Sequence, residues 1–297
     1  MQQNKRTMAI KRKLVNIYTP QKERGFLGTG HIARPLVMGN FIDTDPFIAL
    51  MDDDLNKKDN SPAGGPHPHA GFETVSLLID GKIVEMLESM KKGDFQVMTA
   101  GSGIVHTETI NEPTQGRLFQ LWLNLPKVDR WTTPRLQILP AEHVPTSEQN
   151  GISLRVYSGS LDKLKSPIQN YVPLIVAEIS MQQGVLATLT IPADFNSFLV
   201  IVSGTVDVGE NEERLLQDQV GWLDHFQDDA PSELILKAGE EGVRMVLYAA
   251  KPTGGEIVSN GPFIADTPQE IMRLYQSYRE GRMKHISTAP ENQRIIY

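Results

Sequence analysis

The chain has 297 residues, 40% hydrophobic and 22% charged, with no cysteine, a net charge of -7 and a pI near 5.5. Those values exclude disulfides, thiolate metal sites and cysteine nucleophiles, and they argue against direct binding to phosphate backbones. No apolar run approaches the ~20 residues of a membrane helix, and no secretory apolar region follows the basic residues Lys5, Arg6, Lys11, Arg12 and Lys13. A cytoplasmic protein with a charged, flexible leader is expected, without a membrane or direct nucleic-acid partner.

Taken in chain order, the first clear elements are short strands. Glu73 to Ile79 is β-branched and apolar and runs into an Asp80-Gly81 turn. Lys82 to Glu88, Phe95 to Thr99, Gly101 to Val105 and Leu118 to Leu125 follow at close spacing, with no helical pattern between them. That spacing predicts an antiparallel sandwich or barrel. Thr132 to Gly151, with Pro134, Pro140 and Pro145, reads as a linker.

The second half repeats the style, with strands expected at Val185–Ile191, Ser197–Val202, Gly204–Val208, Gln219–Leu223, Ser232–Leu236 and Val243–Ala249. The expected fold class is therefore all-β, with two tandem domains at residues 1–140 and 141–297. One helix is predicted after Thr267, with Pro268 at its first position, Glu270 completing a capping box and Gly281 as a stop. Ile271, Leu274, Tyr275 and Tyr278 give it an apolar stripe for docking on a sandwich. The polar, basic segment after Gly281 is expected to be loosely held.

Three of the seven histidines fall within forty residues. His67-Pro68-His69 places two imidazoles on one face of an extended strand, and His106-Thr107-Glu108 repeats the spacing with an imidazole and a carboxylate. Two such pairs on neighbouring strands predict a cage of His67, His69, His106 and Glu108 around one divalent first-row metal. The set is too nitrogen-rich for calcium or magnesium. A six-coordinate metal keeps two open positions there, whereas a tetrahedral zinc is closed by the same ligands. A lone His-x-His is most often a pair of solvated residues; the second pair raises the odds. His31, His143, His225 and His285 receive no metal role.

HPHAGFETVSLLIDG, GDFQVMTAGSGIVHTE and QLWLNLP, with the closing GPFIADTPQEI, resemble the signature of the pirin family. The resemblance is strongest from Pro66 to Pro126 and implies a bicupin, two tandem β-sandwich or barrel cupin domains. It also implies one non-haem Fe(II) in the N-terminal cupin, held by residues matching His67, His69, His106 and Glu108, and a metal-free C-terminal cupin. Glu73, at the carboxylate spacing of cupins in general, ranks below Glu108 and is expected to orient a ligating imidazole.

Some pirins are quercetin 2,3-dioxygenases, which open a flavonol ring with O2 and release carbon monoxide; Glu108 is then the candidate catalytic base. Phe72, Phe95, Met98, Phe119 and Trp122 are candidates to wall a flat aromatic pocket, though plain core is the commoner role for such residues. Other pirins are described as metal-dependent regulators that bind a transcription factor or a metabolic enzyme. The chain departs from the family at Met86 to Gly93, where the usual His-x-Asp pair is missing and the loop is shorter. A more open or differently shaped pocket mouth is expected there.

Overall fold

The computed structural model describes residues 9–83 and 89–297. Strands are its main element, and the chain folds as two cupin domains. The compact units exchange their ends relative to a cut between residues 140 and 141. One unit comprises residues 20–144, 167–172 and 253–297; the other comprises 1–19, 145–166 and 173–252.

In the first unit the long strands Phe47–Lys57, Phe72–Ile83 and Thr114–Asn124 lie side by side and antiparallel. The sheet continues through Phe95–Thr99 and Arg135–Leu139 on one side and through His31–Val37 on the other. Phe72 to Ile79 is buried at every position. An apolar, β-branched run without alternation is the pattern of a strand covered on both faces. Successive residues still face opposite ways. Thr74 aligns with Met98, Leu136 and Trp122, and Ser76 with Gln96 and Gln120. The intervening rows carry Val75 with Val97 and Leu121, and Leu77 with Phe95 and Phe119, as core. Above the first of these faces stands a separate two-stranded antiparallel ribbon, Ala63–His69 with Ile104–Ile110, paired across the intervening strands.

The second unit centres on Asn196–Val208 and Pro231–Ala250, which pair along most of their length. Each was expected as two strands. The interruptions, Gly204 and Gly242, adopt φ of +74° and +72°, and the register shifts around Gly204. The glycines bulge the strands without ending them. The strand Leu186–Pro192 alternates strictly, with Ala187, Leu189 and Ile191 joining the core.

The N-terminal basic cluster is not a free leader where it is described. Ile10–Lys11 pairs with Ser232 and Glu233. Arg12 is buried, its guanidinium 3.4 Å from Asp224 and donating to the carbonyls of Pro192 and Phe195 at 3.2 Å. A buried cation needs such partners, and the carbonyls supply them. Lys5 and Arg6 lie outside the described residues.

The supposed linker also holds structure. Arg135–Leu139 belongs to the first unit's sheet and Thr146–Gln149 to the second's, so only a few residues connect them. The helix runs Pro268–Arg279 with both halves of its capping box formed. It belongs to the first unit, where Ile271 and Leu274 pack with Ala70, Phe263 and Met283. The segment beyond Gly281 is tied down. Val105 donates to the Lys284 carbonyl at 2.9 Å, and Arg294–Ile296 adds a parallel strand beside Arg135–Leu139. Strand pairing anchors what local composition left free.

Candidate metal centre

The register of these two strands sets the site. His106 lies directly opposite His67, and Ile104 opposite His69. Since alternate residues share a face, His67, His69 and His106 converge, and their donor nitrogens all lie within 4.8 Å of one another. The close approach of the two strands requires Gly64, whose φ is +78°; a Cβ there would overlap the carbonyl oxygen of Glu108. Gly64→Ala is expected to destabilise the fold by at least about 1 kcal/mol. It should also weaken metal binding about tenfold, as loss of a supporting contact does. Calorimetric Tm and a metal titration check both.

Several features fit a divalent metal. His67 Nδ1 lies 2.9 Å from the Gly65 carbonyl, which fixes the proton on that nitrogen and leaves Nε2 with a free lone pair. His67 Nε2 and His106 Nε2 are 2.7 Å apart, near the ~3.0 Å expected of two nitrogens at right angles on one metal with bonds of ~2.1 Å. His69 Nδ1 is buried without a hydrogen-bond partner. Burial, reinforced by the neighbouring imidazoles, holds His69 well below the usual histidine range. Burial likewise lowers His106 to about 4, against the opposing pull of Glu108. Neutral imidazoles with free lone pairs are the ligand form.

Glu108 sits beside this triad rather than inside its 4.8 Å group. Its Oε2 is 3.6 Å from His67 Nε2 and its Oε1 is 3.8 Å from His106 Nδ1. Gln120 donates to Oε1 at 3.0 Å and steadies the carboxylate. Gln120 was not singled out in the sequence, although an amide in the middle of the apolar run LFQLWL is a usable signal.

Glu73 does not orient an imidazole. It projects to the opposite face of its strand, fully buried, and accepts from Thr99 Oγ1 at 2.6 Å. Burial raises its pKa, with Thr99, Arg135 and Asn170 opposing. Its odd-numbered position decides this, because the cavity-facing row carries Thr74 and Ser76.

A cavity of about 60 Å³ opens directly beside His106 and Glu108. Its floor is the even row of the sheet, with Thr74, Ser76, Gln96, Met98, Gln120 and Leu136. Of the proposed aromatic wall, only Met98 lines it. Phe72, Phe95 and Phe119 are core, while Trp122 stacks on Phe72 and meets His69 edge-on at 5.3 Å. Met90 from the shortened loop region also lines the cavity; Met86 to Glu88 lie outside the described residues.

The remaining histidines have other partners. His31 meets Asp53 at 2.7 Å, His143 meets the Tyr297 carbonyl at 2.7 Å, and His225 meets the Asp194 carbonyl at 3.2 Å. His285 lies 2.9 Å from Oγ1 of Thr107, the residue between His106 and Glu108. Being 178 residues from Thr107, it carried no local signal.

Residues 20–123 match the family model described as Pirin, and residues 176–284 match the Pirin C-terminal cupin domain. A pirin-like protein of Solanum lycopersicum is 31% identical over 80% of this chain and 81% of its own length. The crystal structure of a quercetin 2,3-dioxygenase from Acinetobacter baumannii is 26% identical with a TM-score of 0.80, covering 94% of this chain and all of that one. A bacterial pirin from Escherichia coli, solved in complex with nickel(II), shares the fold at 16% identity and a TM-score of 0.58, over 80% of this chain and 99% of that one.

Proposed function

The chain belongs to the pirin family of bicupins, and from that premise we propose that it is a metal-dependent enzyme which opens the ring of a flavonol-like aromatic with O2. The observation that carries this reading is the convergence of three imidazoles, with one carboxylate beside them, at the edge of a cavity. His67, His69, His106 and Glu108 would hold the metal, with Fe(II) as the candidate. A divalent transition metal there supplies Lewis acidity that lowers the pKa of a coordinated hydroxyl.

The protein's own residues do the rest. Glu108 is placed to take the hydroxyl proton on a carboxylate oxygen, and the Gln120 amide holds that carboxylate in a fixed rotamer. The sheet floor, with hydroxyls and amides between Met98 and Leu136, offers an aromatic ring apolar contact and a few directing hydrogen bonds.

The test is anaerobic loading with Fe(II) followed by oxygen uptake on quercetin. Glu108→Gln is expected to lower turnover by at least about 100-fold, the scale of a lost general base. A smaller loss of metal affinity should accompany it, because the three imidazoles remain. Tight metal binding with no oxygen consumption across several flavonols would overturn the enzymatic reading in favour of a metal-dependent regulator that binds a protein partner.

A further inference from the structure

The cavity beside the metal centre is completed by the end of the chain. Ile286, Ser287 and Arg294 line it together with His106 and Glu108. Arg294 owes its place to strand pairing. It aligns with Leu136, which aligns with Met98 and through it with Thr74, so all four belong to one cross-strand row. Leu136, Met98 and Thr74 are part of the cavity floor, and Arg294 extends that row by one strand.

Among the described residues the Arg294 guanidinium makes no hydrogen bond or ion pair, whereas Arg117, Arg130 and Arg214 each engage a carboxylate. The rest of the described lining is neutral apart from His106 and Glu108, the pair assigned to the metal. A planar fork of donors without a partner, on the wall of a cavity that opens onto metal ligands, matches a carboxylate in shape and charge.

We infer that Arg294 is a specificity residue and that the substrate carries an anionic group, such as a carboxylate, in addition to the oxygens that chelate the metal. This rests on the reading of the cavity as the substrate site and narrows it. An uncharged flavonol would use only part of the lining.

The experiment uses the full chain loaded with Co(II), with ligand binding read from the visible spectrum of the metal. Two chelating probes are compared, catechol and 3,4-dihydroxybenzoate, which differ by one carboxylate. The carboxylated probe should bind at least about tenfold tighter to the wild type, the scale of one charge-assisted hydrogen-bonded pair. The preference should shrink with added salt, because Arg294 is exposed. Arg294→Gln should erase the preference while leaving catechol affinity unchanged, and Arg294→Lys should restore part of it. Equal binding of the probes to wild type, or an undiminished preference in Arg294→Gln, overturns the assignment. A protein that takes up Co(II) but whose spectrum neither probe perturbs overturns the substrate-site reading itself, and this inference with it.

Discussion

Replacing His106 by alanine is expected to leave the protein folded and to weaken metal binding by more than about 100-fold. Loss of a residue that merely supports a ligand costs 10–100-fold in related sites, and loss of a ligand costs more. His106 faces His67 on the neighbouring strand and is the point where both other imidazoles are within reach, their ring centroids 4.2 and 4.9 Å away. Removing it leaves His67 and His69, two residues apart on one strand, with Glu108 to one side. Two imidazoles and a carboxylate can still bind a metal weakly, so the prediction is a large shift rather than zero binding.

The fold should tolerate the change. The backbone hydrogen bonds between the two strands do not involve the ring, and a crowded cluster of imidazoles with an unpartnered buried nitrogen is not a source of stability without a metal. Metal analysis after gel filtration, with circular dichroism as the control for folding, decides the matter. Wild-type metal content in a folded His106→Ala protein would remove the basis for every metal-dependent function proposed above.

The second large effect is on stability. Arg130→Ala is expected to cost about 3–5 kcal/mol, the range for breaking a buried ion pair from one side. Arg130 is almost completely buried. Its Nε donates to Asp266 at 3.0 Å, and its Nη1 donates to both the Gly71 carbonyl and Asn124 Oδ1 at 2.9 Å. Alanine strands all three acceptors in the interior, one of them a carboxylate. For a unit of this size about 2–4 °C of Tm accompanies each kcal/mol, so a fall near 10 °C is expected.

The loss should reach the metal centre as well. Gly71 lies two residues beyond His69, and Asp266 precedes the helix that packs on Ala70. Arg130 therefore ties the strand bearing two imidazoles to the helix that buttresses it. Calorimetry of the metal-free and metal-loaded protein should show the variant less stable in both forms, with less stabilisation by metal. An unchanged Tm would mean that water satisfies the stranded groups and that the network adds little.

Local chemistry determined a good deal about this chain. The pairs His67/His69 and His106/Glu108 were legible because a strand has a side-chain period of two, a property of a few adjacent residues. The helix start was legible for the same reason: Thr267, Pro268 and Glu270 satisfy one another's backbone groups within a single turn. The all-β class followed from strand-length apolar runs between turn residues. The strands Phe47–Lys57 and Leu174–Met181 went unread, the first with three consecutive aspartates that mask its alternation.

Tertiary structure alone decided the rest, because it depends on pairings between distant segments. Both Glu73 and Glu108 stand at plausible spacings from a histidine, and only the sheet register turned one toward Thr99 and set the other beside the imidazoles. Arg12 read as part of a free leader until Asp224, more than two hundred residues away, supplied its counter-charge. Arg294 read as part of a loose tail until Leu136 fixed its place on the cavity row. Residue spacing encodes which side chains share a face within a strand; which strand comes next to it, and at what offset, is set by burying the apolar rows of the whole sheet together.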